Sequence, residues 1–83
     1  MTDRQQIPMP IGARILSAAN QNGLVCLWVL VDMESVALAE RDIEIIGTGN
    51  PMSDGKRSFI GTVVAGPFVW HVFERIDLPP DQR

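Results

Sequence analysis

The stretch Leu24-Val25-Cys26-Leu27-Trp28-Val29-Leu30-Val31 decides the fold. Its apolar residues run without a break and end at Asp32. A bilayer-spanning helix needs about 20 such residues, so the run is too short to cross a membrane. Valine, tryptophan, leucine and cysteine favour a strand. A strand with one wet face alternates apolar and polar residues. This one does not, so both of its faces are expected to be covered. A chain of 83 residues buries only about 60–65% of its unfolded surface. Part of the cover is therefore expected from a second copy, with the 24–31 strand or the sheet face beside it in the interface of a homo-oligomer.

Upstream, Asn20-Gln21-Asn22-Gly23 is a turn, because Asn-Gly supplies the positive φ angles of a tight hairpin. Residues 13–19 and 24–32 then form a hairpin. Downstream, Asp32 to Glu40 has helix-forming composition, with Asp32 as a possible N-cap, but so short a segment supports at most one helical turn. Arg41 to Gly47 alternates, with Ile43 and Ile45 on one side and Asp42 and Glu44 on the other, and reads as a strand with a wetter face. The two carboxylates are expected to be solvated. Arg14, Arg41 and Arg75 are expected at the surface or at interfaces.

A long loop follows at 47–57. Ser58 to Ala65 is a strand in which Gly61 marks a bulge or a close backbone approach. Ala65-Gly66-Pro67 turns the chain into a last strand, Phe68 to Arg75. Residues 1–10, with Pro8 and Pro10, read as an extended arm. Residues 11–76 read as a single β domain, and 77–83 as a flexible tail. The expected fold is all-β and mainly antiparallel. It is a five-stranded meander forming a curled sheet or partial barrel, with one short helix possible at 33–40.

The net charge of −3 argues against binding DNA or RNA through bulk charge, which needs a basic face. The lone Cys26 reads as a buried thiol in a reducing compartment. With a polar start and no apolar leader or transmembrane segment, a cytoplasmic location is expected. One histidine and one cysteine make neither a metal site nor a recognisable nucleophile–base pair. No cofactor and no enzymatic activity are expected.

The loop at 47–57 carries the best chemistry. Glycine-rich backbone can converge its N–H groups on an anion. Thr48 and Ser53 add hydroxyls, and Lys56 and Arg57 add charge. The spacing is not that of a P-loop, and a plain hairpin loop with a solvated basic pair is the competing reading. Trp28 and Trp70 could stack on a nucleobase or serve as core or interface packing. His71 could touch a ligand or be a packed histidine with one hydrogen bond. The candidate ligand-binding set is Trp28, Thr48, Gly49, Lys56, Arg57, Thr62, Trp70 and His71.

Several patches stand in a fixed order: Pro10, Leu27-Trp28, Asp32, Gly47-Thr48-Gly49, Ile60-Gly61-Thr62-Val63 and Val69-Trp70-His71-Val72-Phe73-Glu74. Across residues 8–74 the chain resembles a small uncharacterised family of phage and prophage proteins. That resemblance implies a phage-encoded protein acting in the bacterial cytoplasm. In general character the chain is similar to the nucleotide sponges that phages use as counter-defence. The similarity implies a homo-oligomer that sequesters a small anionic nucleotide signal, a cyclic oligonucleotide or a cyclic ADP-ribose isomer, without catalysis. The alternative is a protein-interaction module that directly blocks a host protein.

Overall fold

A computed structural model describes residues 2–34, 37–49 and 55–76. The chain is all-β and antiparallel, with no helix among the described residues. Six strands form: β1 Thr2–Pro10, β2 Arg14–Gln21, β3 Leu24–Leu30, β4 Leu38–Gly47, β5 Arg57–Ala65 and β6 Phe68–Arg75. They make a four-stranded sheet, in the order β1-β4-β6-β5, and a two-stranded β2-β3 hairpin. The assembly is not closed into a barrel.

The all-β reading therefore stands, with differences of detail. The strand count is six, because the expected arm is a strand: β1 pairs with β4 along its whole length, from Thr2 opposite Ile46 to Pro10 opposite Leu38. Its prolines are tolerated because β1 is an edge strand, where a missing N–H costs no ladder bond. The order is not that of a meander, because β4 pairs with β6 rather than with β5 and the β2-β3 hairpin stands apart from the sheet. Nor does a helix form at residues 37–40: Leu38–Glu40 extend β4, where pairing with β1 outweighs a weak helical preference. Asp32 accepts a hydrogen bond from the Glu34 backbone N–H at 3.0 Å, capping a turn. Residues 35 and 36, and the tail at 77–83, lie outside the described residues.

The hairpin turn is built by Asn22 (φ 54°) and Gly23 (φ 82°) between the register partners Gln21 and Leu24. Two successive positive φ angles in a two-residue loop make a type I′ turn, which matches the twist of its strands. The Asn20 side chain accepts from the Gly23 N–H at 2.9 Å and donates to the Val64 carbonyl at 3.1 Å. One residue thus secures the turn and ties the hairpin to β5.

The hairpin crosses the sheet where β2 runs over β5. Gly61 sits just after a bulge in β5, and a Cβ built there would lie 3.6 Å from the Ala18 backbone nitrogen. Both roles expected of this glycine are therefore present. Beneath the hairpin, Ile43, Val63 and Val72 form the buried centre. Ile15, Ala18, Val25 and Leu27 press on it from the hairpin, and Ile7, Ile45, Ile60 and Trp70 from the sheet.

Since a Cβ at Gly61 would make only ordinary van der Waals contact with Ala18, Gly61→Ala is expected to change stability by less than about 1 kcal/mol. Gly61→Leu must push β2 off β5 and is expected to cost about 1–3 kcal/mol, the usual range for overpacking. Urea melts of the two variants check the contact.

Candidate functional site

Strand alternation gives the four-stranded sheet two unlike faces. The inner face, under the hairpin, carries Ile43, Ile45, Val63, Trp70 and Val72. The outer face carries Asp42, Glu44, Thr62, His71, Phe73 and Arg75. Trp70 and His71 are neighbours in sequence and so lie on opposite faces. The ring of Trp70 stacks on Phe68, with centroids 5.6 Å apart and planes 14° from parallel.

On the outer face, the structure brings together three of the eight predicted site residues. Thr48 Oγ1 lies 3.0 Å from His71 Nε2, and Thr62 Oγ1 lies 3.1 Å from His71 Nδ1. Thr48 Oγ1 also donates to the Val69 carbonyl at 3.3 Å. That leaves it to accept from Nε2–H, while Nδ1 accepts from the Thr62 hydroxyl. A hydroxyl against an imidazole is half of a nucleophile–base pair. Here the second ring nitrogen is held by another hydroxyl, where a carboxylate would stabilise an imidazolium. The arrangement fixes the ring and connects the turn after β4 to β6 and β5.

The other predicted residues do not join this cluster as a phosphate site would require. Gly49 (φ 89°) is in the turn beside Thr48. Residues 50–54 of the candidate loop, Ser53 included, lie outside the described residues. Lys56 is exposed. Arg57 is committed elsewhere: its Nε donates to Glu44 Oε1 at 2.8 Å, and its guanidinium lies over the Phe73 ring, 5.9 Å from the centroid.

The expectation that Asp42 and Glu44 are solvated is overturned. Asp42 is 1% exposed and Glu44 4%. Arg4 reaches Asp42 with two bonds, Nε to Oδ1 at 2.9 Å and Nη2 to Oδ2 at 2.5 Å. Arg75, expected at the surface or at an interface, is instead buried within the chain, and its Nη1 lies 3.4 Å from Glu44 Oε2. Arg57 and Arg75 face each other in the strand register, a repulsive placement by itself. Glu44 resolves it by giving one carboxylate oxygen to each. On the inner face, Arg41 donates to both carboxylate oxygens of Glu74 and, at 2.7 Å, to the Ala13 carbonyl. The Glu74 hydrogen bond raises the Arg41 guanidinium pKa, with burial opposing it.

The second region is the hairpin itself. Val25, Leu27 and Val29 turn inward and are half-buried, while Leu24, Trp28 and Leu30 are 68%, 54% and 55% exposed. The expectation that both faces of this strand are covered is therefore not met within one chain, and Trp28 is not a core residue. The reason is geometric: the hairpin has only the four-stranded sheet to lie on, and one layer covers one face. Beside β3 runs a groove of about 450 Å³, lined by Asp3, Gln5, Leu24, Val25, Ile45 and Trp70 among others. It adjoins a smaller cavity of about 90 Å³ reaching Ile7, Leu27, Ile43 and Val72.

This fold has a family. The model for Domain of unknown function (DUF7352) matches residues 1–83. The chain belongs to that family. No curated protein and no solved structure matches it. Among the described residues of this DUF7352 chain, no group of three or more His, Cys, Asp or Glu is placed to hold a metal ion. No helix long and apolar enough to cross a membrane occurs among the described residues.

Glu44→Ala is expected to destabilise the fold by about 3–5 kcal/mol, because it removes the buried carboxylate that Arg57 and Arg75 share. Arg57→Ala is expected to cost at least about 1–3 kcal/mol, since it removes the charge-assisted bond to Glu44; a freely solvated loop arginine would cost almost nothing. Thr62→Val is expected to lose about 1 kcal/mol and to alter the imidazole nitrogen shifts of His71. Denaturant melts and nitrogen NMR make these measurements.

Proposed function

We propose that this chain is a non-catalytic protein-interaction module that works through the outer face of its β2–β3 hairpin. The observation that carries the reading is a mismatch in burial. Among the described residues, six apolar side chains are buried and twelve large ones are exposed. Leu16, Leu24, Trp28 and Leu30 of that second set belong to the hairpin. Contiguous exposed apolar surface of this kind marks a contact site. Aromatic anchors such as Trp28 are the residues that dominate interface energies.

On the phage resemblance, the partner would be a host protein in the bacterial cytoplasm and the effect would be to block it. The nucleotide-sponge reading draws support from the convergence of Thr48, Thr62 and His71 beside Gly49. Three placements favour the blocking reading over it: Arg57 is engaged by Glu44, Trp70 is on the inner face, and Trp28 is on the hairpin. The groove near β3 adds Asp3 at its rim, which disfavours a polyanion.

A photo-reactive residue in place of Trp28, in cells expressing the chain, is expected to form crosslinks to protein. The same residue in place of Gln6, on the polar edge strand, is expected to form few. Equal labelling from both positions would count against the hairpin face. Binding of any cyclic nucleotide by the purified chain more tightly than about 10 µM, roughly −7 kcal/mol, would return the sponge reading to first place.

A further inference from the structure

An unguarded sheet edge recruits another strand, and proteins usually protect their edges with charges, prolines or bulges. The four edges of this molecule differ in that respect. β1 carries Asp3, Arg4, Pro8 and Pro10. β5 has the bulge between Phe59 and Gly61, and β2 has one between Ile15 and Ser17. These two bulged strands also face one another at Gly61 and Ala18. β3 has no such device: Leu24-Val25-Cys26-Leu27-Trp28-Val29-Leu30 contains neither charge nor proline, its register with β2 is unbroken on its own side, and β2 is its only partner among the described residues. Its free edge opens on the groove of about 450 Å³.

The backbone phase of β3 follows from its turn. In a two-residue hairpin the closing pair, Gln21 and Leu24, exchanges N–H and C=O groups. Alternate residues then bond toward β2: Leu24, Cys26 and Trp28. Val25, Leu27 and Val29 direct their N–H and C=O groups to the free edge. The residues that bond toward β2 are those whose side chains stand on the exposed face, or, for Cys26, are partly covered there.

We propose that β3 pairs antiparallel with β3 of a second copy, about a twofold axis through Leu27. This rests on the reading of the hairpin as an interaction surface and deepens it. Full overlap of the seven-residue strand puts Leu27 opposite itself, Trp28 opposite the copy's Cys26, and Leu24 opposite the copy's Leu30. Large thus stands against small at the centre, and no like charges meet, because the strand has none. A second copy fits better than a foreign strand for a further reason. An uncharged edge open at the moment of folding aggregates unless its partner is at hand, and the chain's own product always is. The pairing also enlarges the exposed face. One hairpin offers a surface about 24 Å long and two strands wide, small against the roughly 800 Å² per partner of a standard interface. The joined β2-β3-β3-β2 sheet doubles it, with two copies of Leu16, Leu24, Trp28 and Leu30 on one side.

The test uses sedimentation and cysteine crosslinking of the purified full chain. Wild type is expected to sediment at twice 9.2 kDa at micromolar concentration. Trp28→Cys, which keeps the native Cys26, is expected to form a covalent dimer on mild oxidation at least tenfold faster than wild type or the Cys26→Ser/Trp28→Cys variant. Should loss of Trp28 weaken the dimer, Leu24→Cys/Leu30→Cys in a Cys26→Ser background probes the same register with Trp28 in place. A monomer at all concentrations would overturn the proposal, as would a dimer in which neither cysteine pair crosslinks preferentially. Neither result touches the interaction-module reading if position 28 still crosslinks to another protein in cells. That reading fails separately, when position 28 labels nothing beyond what position 6 labels.

Discussion

The crossing of β2 over β5 at Ala18 and Gly61 is the contact on which the other features depend. Just after the bulge in β5, Gly61 faces the Ala18 backbone, with room for a Cβ but not for a longer side chain. With β2 seated on β5, the hairpin leans toward one side of the four-stranded sheet. The core gathers beneath it around Val63 and Val72, and the other side of the sandwich stays open as a groove along β3. Among the described residues, the same placement leaves β3 with one covered face, one bare face and one free edge. The chain's apolar content exceeds what its own layers can hide, and the excess collects where an incoming chain would meet it.

Polar chemistry holds the opposite face. There, three arginines and two carboxylates tie β1, β4, β5 and β6 together, and several of these groups are nearly out of water. A buried ion pair is weak support for stability, because desolvation offsets much of the attraction, but it is strong support for register. A one-residue slip of β4 would move Asp42 and Glu44 to the inner face and bring Ile43 and Ile45 out. It would part Arg4 from Asp42, and Arg57 and Arg75 from Glu44. The electrostatics of this face therefore work as a registry device for a sheet whose apolar core is small.

Much of this architecture was legible in the sequence. Asn22-Gly23 announced the hairpin, because its positive φ angles have few chemical solutions, and Gly61 marked the place in β5 where the bulge lies. β1 was hidden by its composition: Gln5, Gln6 and two prolines look like an arm, and only Ile7 and Met9, two apart, signal an edge strand with an inward face. Asp42 and Glu44 alternate as solvent-facing carboxylates do. Their burial depends on arginines 13 to 38 residues away, at Arg4, Arg57 and Arg75, a pairing no local pattern reveals. Of the candidate site, Thr48, Thr62 and His71 do converge. That Trp70 could not join His71 was readable from strand alternation alone. The exposure of Trp28 was not readable, because an uninterrupted apolar strand looks the same whether its second face is covered by its own chain or by another.

The central claim is that the free edge of β3 is a bonded edge in the working molecule. Amide hydrogen exchange reads it directly, residue by residue. At concentrations where the chain is assembled, the N–H groups of Val25, Leu27 and Val29 should be protected to the same degree as those of Cys26 and Trp28, which bond toward β2. Their protection should fall on dilution, while that of Cys26 and Trp28 is lost only with global unfolding. Exchange of Val25, Leu27 and Val29 at open-edge rates at every concentration, beside protected Cys26 and Trp28, would contradict the account.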